Sequence, residues 1–467
     1  MKDKFKVKDM LLKILIYSII SILLAMLIIN FQKLNAKNLL ETLDSSFNKT
    51  GYLTSYIIED GYSTGEDIAI DNENNIIVIG ADGKPQTTKH FAVIWKFDLN
   101  GNPIQYFGNS KGYIIIDKIS QNIGLPYIKT VCLTKDNKIL VGGSVAVSEN
   151  FELGGSAYGS IFKFNPDGSY DKSFANNGFL LLNIQDNQIQ RIPEINSIKL
   201  DSNEKIIAVG SAFIKNKNNK DIIILRINPD GSLDKTFNNK GYITLNAFEQ
   251  MDMDDIANSV VVDNKNNRIY ITGYSRGINA NDMVICCLKS DGTLDKTFGY
   301  NGIATFNNDS VNMGDYGNSI IVDNQDRILV AGYTRSKRGD YDIIIWRYNP
   351  NGTLDKSFNN KGYVIYDYKN KDDKAYSIAI DNQNRILVAG YVNNNSDDDV
   401  ILLRYNENGS LDKSFANKGV FVYNDIAGGD EKDRAYSLAI DKSQKIYITG
   451  ESFYGKYNNM FILKINP

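Results

Sequence analysis

Leu-Asp-Lys followed by Ser or Thr and then Phe recurs along this chain at a nearly constant interval, and no other feature restricts its fold as strongly. The phrase stands at 233–237, 294–298, 354–358 and 411–415. Weaker copies lie at Tyr170–Phe174 and Gln105–Phe107, and a seventh, Leu43–Phe47, follows the N-terminal apolar stretch. Successive phenylalanines are 60, 67, 63, 61, 60 and 57 residues apart. A fixed period of that length means one supersecondary unit copied in tandem.

Each unit reads as four short strands. In the clearest copy, Tyr376–Ile380 ends at an Asp-Asn-Gln-Asn turn, and Arg385–Gly390 follows as the second strand. Val400–Tyr405 is the third, and Gly419–Tyr423, after the repeated phrase, is the fourth. β-rich runs bounded by Asn, Asp and Gly make an antiparallel meander. The second strand is expected to end in Gly in every copy, at Gly80, Gly142, Gly210, Gly273, Gly332, Gly390 and Gly450. The fold class is therefore all-β: seven four-stranded antiparallel blades arranged as a β-propeller over residues 43–467. The last copy stops at Ile465-Asn466-Pro467, before its fourth strand, and Leu43–Ile58 supplies the missing parts. An N-terminal strand is expected to complete the last blade and close the ring, leaving no open sheet edge.

The string Asn-Pro-Asp-Gly-Ser-Leu-Asp-Lys-Thr-Phe-Asn-Asn-Lys-Gly at 228–241 resembles the delta-60 repeat of exported bacterial proteins. The resemblance covers the repeats and implies no general activity. Asn100–Gln105 departs from the pattern, with Gln105 in place of the Asp.

Residues 1–36 differ from the rest. Lys2, Lys4, Lys6, Lys8 and Lys13 precede an uncharged Ile- and Leu-rich run from Ile14 to Gln32. This is a signal peptide or an N-terminal membrane anchor formed by one hydrophobic helix, with the repeats on the far side of the membrane. The expected location is extracytoplasmic: periplasmic, at the cell surface or secreted. A net charge of −3 gives no basic face for nucleic acid. Three cysteines, Cys132, Cys286 and Cys287, do not make a disulfide framework and read as buried apolar residues.

Most recurring polar residues have a structural explanation. The third strands carry Lys96, Lys163, Arg226, Lys289, Arg347, Arg404 and Lys464, and each is expected to pair with a nearby acid such as the Asp of the repeated phrase. Asp167, Asp230 and Asp291 precede Gly in turns, and Asp71, Asp201, Asp263, Asp323, Asp381 and Asp441 read as Asx-turn residues.

A site is expected on the face where loops vary between blades, such as 81–90, 144–160 and 333–341. Four residues before the first-strand Ser, consecutive blades carry Asp255, Asp315, Asp373 and Asp433, with Glu194 nearby in the preceding blade. These acids are expected to form an arc at the channel mouth, the one candidate metal site, with Ca2+ as its ion. Tyr274, Tyr333 and Tyr391, after the second-strand Gly, are candidate binding residues for a sugar or peptide. His90 is the single histidine, so no imidazole cluster exists, and no catalytic residue is assigned. The expected function is a monomeric, non-enzymatic binding or scaffold module for a protein or glycan at the cell envelope, with no cofactor and touching the membrane only through its N-terminal segment. The alternative is a Ca2+-dependent hydrolase or lactonase-like enzyme with its site at the channel mouth.

Overall fold

Among the described residues, twenty-eight strands form seven antiparallel sheets of four. The computed structural model describes residues 17, 41–59, 61–84, 90–117, 119, 123–147, 156–184, 188–217, 219–247, 253–277, 280–306, 314–394, 396–424, 426–428 and 431–467. The expected N-terminal helix and its signal or anchor role fall outside them, Tyr17 excepted. Among the described residues no helix is long and apolar enough to cross a membrane.

The first strands of the blades are Tyr62–Ile70, Ile123–Leu133, Ile189–Leu200, Asp255–Asp263, Asp315–Val322, Asp373–Ile380 and Asp433–Ile440. Each touches the first strand of the next blade, and the last touches the first, so these seven strands line a central channel. In blade 7 the strand Tyr52–Ser55 pairs antiparallel with Tyr457–Ile465, Tyr52 lying opposite Leu463. The core is seven apolar layers, one between each pair of neighbouring blades, blades 7 and 1 included. This is a seven-bladed β-propeller.

The first strands begin earlier than the sequence pattern suggests, because each contains a β-bulge. The extra residues are Glu66, Lys129, Asn196, Asn258, Asn318, Tyr376 and Tyr436. A bulge turns the preceding carbonyl toward the second strand. A Cβ on Gly273, Gly332 or Gly450 would lie 1.8 Å from the carbonyl oxygen of Ile256, Tyr316 or Arg434. That contact explains why Gly recurs at the end of the second strand. In blade 2 the residue against the bulge is Gly143, not Gly142: its Cβ would meet Tyr127 O at 2.0 Å.

The repeated phrase clamps one blade to the next. Asp234 Oδ2 accepts from Arg226 Nε at 2.6 Å and from Lys205 Nζ at 2.7 Å. The Arg226 guanidinium lies 4.9 Å from the Phe237 ring and donates to Ser290 O of the next blade. Asn238 N then donates to Asp291 O across the same junction. Phe47, Phe107, Phe174, Phe237, Phe298 and Phe358 are all fully buried. Lys96, Lys163, Arg347, Arg404 and Lys464 pair with acids as expected. Blade 4 differs. Lys289 is exposed, and Arg268 on the second strand reaches Asp295 at 2.6 Å and donates to Pro350 O at 2.8 Å. The two strands lie side by side, Arg268 opposite Lys289, so either can fill the slot.

A second set of contacts ties the first strands together. Ile198 N donates to Thr130 Oγ1, Val260 N to Ser197 Oγ, Ile320 N to Ser259 Oγ and Leu438 N to Ser377 Oγ, at 3.2–3.4 Å. Asp67 replaces the hydroxyl residue in blade 1. It accepts from Ser437 Oγ at 2.6 Å on one side and Val131 N at 2.8 Å on the other. The first-strand Ser is thus an interblade fastener.

Candidate functional site

The bulge residues of all seven blades face the channel and form a polar belt. Asn196, Asn258 and Asn318 each donate an amide hydrogen to a carbonyl of the next blade, those of Ala257, Gly317 and Ala375, at 2.7–3.0 Å. Lys129 Nζ donates to Glu194 Oε2 at 2.6 Å and Asn196 Oδ1 at 3.0 Å. Burial raises the Glu66 carboxyl above its ordinary value, and Tyr127 donates to it. Most of this belt is occupied with holding blades together.

On the rim, blades 4 to 7 carry a run of tyrosines. Tyr274 meets Tyr316 edge-on at 5.2 Å, and Tyr316 stacks on Tyr333 at 4.6 Å. Tyr341 packs against Tyr333 at 5.2 Å, and the Lys374 ammonium lies within 4.8 Å of both rings. Farther round, Tyr376 stacks on Tyr391 at 6.1 Å and meets Tyr436 at 5.5 Å, with the Arg434 guanidinium 4.9 Å from Tyr391. Burial is the largest cause of raised phenols at Tyr274, Tyr333 and Tyr391 and of a lowered Lys374. Tyr274 and Tyr333 therefore join one half-buried face, while Tyr391, buried at 6%, packs with a second group farther round. Tyr316 and Tyr341 complete the first and Tyr376 and Tyr436 the second, and these four carry no repeat signal of their own at the second-strand position.

The acids are placed differently from the expected arc. Asp255, Asp315, Asp373 and Asp433 open the first strands of their blades and are buried, each at 1% exposure or less. They are held under the connections between blades. Asp373 Oδ2 accepts from Tyr368 N at 2.5 Å, and its Oδ1 from Asn393 N at 3.3 Å. Asp255 Oδ2 accepts from Ala247 N at 3.1 Å, and Asp433 Oδ2 from Ile426 N at 3.4 Å. Residues opposite on the second strand complete the pattern: Ser275 donates to Asp255, and Ser452 Oγ accepts from Ala427 N. Blade 1 exchanges the two types, with Ser63 on the first strand opposite Asp82 on the second. Asp82 accepts from Ile57 and Ile58 N at 2.7 and 3.2 Å. A carboxylate at the head of the blade thus anchors an incoming connection, and these four do not line an open mouth.

Third strands bring further acids to the same end of the blades: Asp221, Asp282, Asp342 and Asp399, all buried. They recur one residue before the apolar run, a signal the sequence reading did not use. At the junction of blades 5 and 6, one carboxylate oxygen each of Asp342, Asp367 and Asp373 lies within 4.8 Å of the others. Among the described residues this is the one such group of three metal-ligating side chains. Burial pushes Asp373 up to about 8, and burial together with Asp367 pushes Asp342 up to about 7. Asp255 is pushed up to about 6, also chiefly by burial.

Other candidates have ordinary roles. Exposed His90 shares a hydrogen bond with Tyr62 OH. Cys132, Cys286 and Cys287 are free thiols, and burial pushes Cys286 and Cys287 up to about 12. Asp167, Asp230 and Asp291 each accept from the N–H two residues on at 2.9 Å, as do Asp201, Asp323 and Asp381. The turn reading of those residues holds.

A family model described as a domain of unknown function (DUF5122) beta-propeller matches residues 134–174, 202–237, 265–298, 326–358 and 384–415. The match supports a β-propeller built of repeats. Each matched stretch starts in or beside the first hairpin turn of a blade and ends on the phenylalanine of the repeated phrase. No curated protein matches the chain. Among solved structures, the polysaccharide lyase Uly1 is similar with a TM-score of 0.50 and 9% identity, over 86% of this chain and 90% of the lyase. A protein of unknown function from Dyadobacter fermentans gives a TM-score of 0.45 and 12% identity over 89% and 98% of the two chains. Sqt1 from Chaetomium thermophilum gives 0.46 and 9% over 91% and 99%. At such identities the likeness is one of fold alone.

Proposed function

We propose that this chain is an exported, non-enzymatic propeller of the delta-60 repeat type that binds a protein or glycan at the cell envelope through the rim tyrosines of blades 4 to 7. The propeller is closed by Tyr52–Ser55, and the basic, apolar N-terminal segment acts as signal or anchor. The observation that carries the binding reading is the contiguous set Tyr274, Tyr316, Tyr333 and Tyr341, capped by the Lys374 ammonium. Half-buried phenol rings give a ligand large apolar contact at little entropic cost and offer hydroxyls at the rim. A sugar ring or an extended peptide suits such a surface. The enzyme alternative is weaker, because the buried acids hold backbone N–H groups and meet no imidazole.

The test is a glycan array and a cell-envelope pull-down with residues 41–467, repeated with Tyr333→Ala/Tyr341→Ala. The double variant is expected to lose at least ten-fold in affinity for whatever the parent captures, with an unchanged far-UV spectrum. Full retention of binding in a folded double variant refutes the assignment of this face.

A further inference from the structure

Asp342 is a buried carboxyl group that the structural roles above do not account for. It sits at 7% exposure on the third strand of blade 5, and its Oδ1 is buried with no hydrogen-bond partner among the described residues. The nearest cation, Arg338 Nη2, is 3.9 Å from that oxygen, beyond hydrogen-bonding range. Buried carboxylate oxygens in native structures are normally paired, so this one needs a partner. The partner must be compatible with two more carboxylates, since Asp367 and Asp373 each bring an oxygen to within 4.8 Å of an Asp342 carboxylate oxygen. Asp340 and Asp372 flank the group and add to the negative field.

We propose that Asp342, Asp367 and Asp373 form a binding site for a hard divalent cation of the Ca2+ class at the junction of blades 5 and 6. Three carboxylates from two blades supply hard oxygen ligands, and water or loop carbonyls complete the six to eight that Ca2+ takes. The donor set is all carboxylate oxygen, which suits a hard cation and not a soft metal. Asp373 is already oriented by Tyr368 N and Asn393 N, and Asp367 by Asn370 N at 2.8 Å. Arg338 is the competitor. Its Nη2 lies 2.7 Å from Asp367 Oδ2, on a side chain that is 49% exposed and free to swing outward. Three carboxylate oxygens this close repel one another, and a dication relieves that repulsion when it enters. The site is separate from the tyrosine face in its chemistry, and its test uses no ligand of that face.

The experiment uses residues 41–467 and the ions alone. Tb3+ is excited through nearby tyrosines, Ca2+ is titrated as competitor, and Tm is read in chelator and in Ca2+. The parent is expected to sensitise Tb3+ emission, to lose it as Ca2+ is added, and to gain about 2–5 °C in Tm with saturating Ca2+. Asp367→Asn, at a partly exposed position that leaves the fold intact, is expected to weaken Ca2+ binding at least ten-fold, and Asp342→Asn to abolish it. Arg338→Gln is expected to bind several-fold tighter than the parent. A parent that shows neither emission nor a Tm shift overturns the proposal and makes Arg338 the resident cation. Emission that survives in Asp367→Asn and Asp342→Asn overturns it as well, by placing the ion elsewhere.

Discussion

If the repeated phenylalanine plugs beneath the turn of the next blade, Phe358 and Gly409 must be energetically coupled across a blade boundary. Phe358 belongs to blade 5 and is fully buried. Gly409 belongs to the Asn406–Gly409 turn of blade 6. A Cβ at Gly409 would meet Phe358 Cε2, Cδ2 and Cζ at 2.9, 3.0 and 3.2 Å, and its φ is +86°. Phe358→Ala removes a buried ring and is expected to cost about 3–5 kcal/mol. Gly409→Ala meets two penalties: about 1–2 kcal/mol for a left-handed backbone and about 1–3 kcal/mol for overpacking against the ring. In the Phe358→Ala background only the backbone penalty survives. The double variant should therefore be about 1–3 kcal/mol more stable than the sum of the two singles predicts. Guanidinium unfolding followed by tyrosine fluorescence measures all four corners of the cycle. Equal costs of Gly409→Ala in both backgrounds would refute the plug and reduce the repeated phrase to a local turn signal.

Two further outcomes follow from the same geometry. Asp355→Ala leaves Arg347, 2% exposed, without the carboxylate 2.7 Å from its Nε, and is expected to cost about 3–5 kcal/mol, whereas Lys265→Ala at an exposed pair changes stability immeasurably; chemical unfolding of both variants checks the contrast. The pH response has two limbs. Asp342 and Asp373 have folded values of about 7 and 8, above the ordinary 3.8, so their contribution is full below pH 3.8 and is lost as pH rises through 7–8. Asp171 has the opposite sign: burial pulls it upward, but hydrogen bonds from Ser173 and Lys138 outweigh this and hold it at about 2, so its contribution is present above 3.8 and lost as pH falls through 2. In chelator, Tm is expected to decline between pH 6 and 9, and Asp373→Asn to flatten that decline. A Tm that rises over this range in the parent contradicts the buried-acid assignment.

Blade number, strand order and turn positions were legible because their signals are local. Gly168, Gly231 and Gly292 sit at positive φ in turns whose Asp accepts the following N–H, and such chemistry repeats wherever the turn repeats. The first-strand bulge was not legible, since a strand that carries one extra residue has the same composition as a strand and a loop. That error moved Asp255, Asp315, Asp373 and Asp433 from the head of a strand into a loop, and so from burial to expected exposure. Part of the rim's tyrosine run was visible because Tyr274, Tyr333 and Tyr391 share a position beside the second-strand Gly. Tyr316 and Tyr376 occupy different positions on their own strands, two residues before the bulged Asn318 and at the bulge itself. Only the folded ring brings them to the same rim.

Blade 4 carries a trace of how such rings diverge. Blades 2, 3, 6 and 7 set two cations on the Asp of the phrase, one at the head of the second strand and one on the third, and blade 4 keeps the second-strand one, Arg268, on Asp295 while Lys289 is exposed. Where two cations share one buried acid, either can be lost without baring it. With Arg268 holding Asp295, the third-strand side chain in blade 4 can face solvent, as Lys289 does. Selection on this ring therefore acts on whether a volume holds positive charge, and the position that supplies it is free to wander across a hairpin.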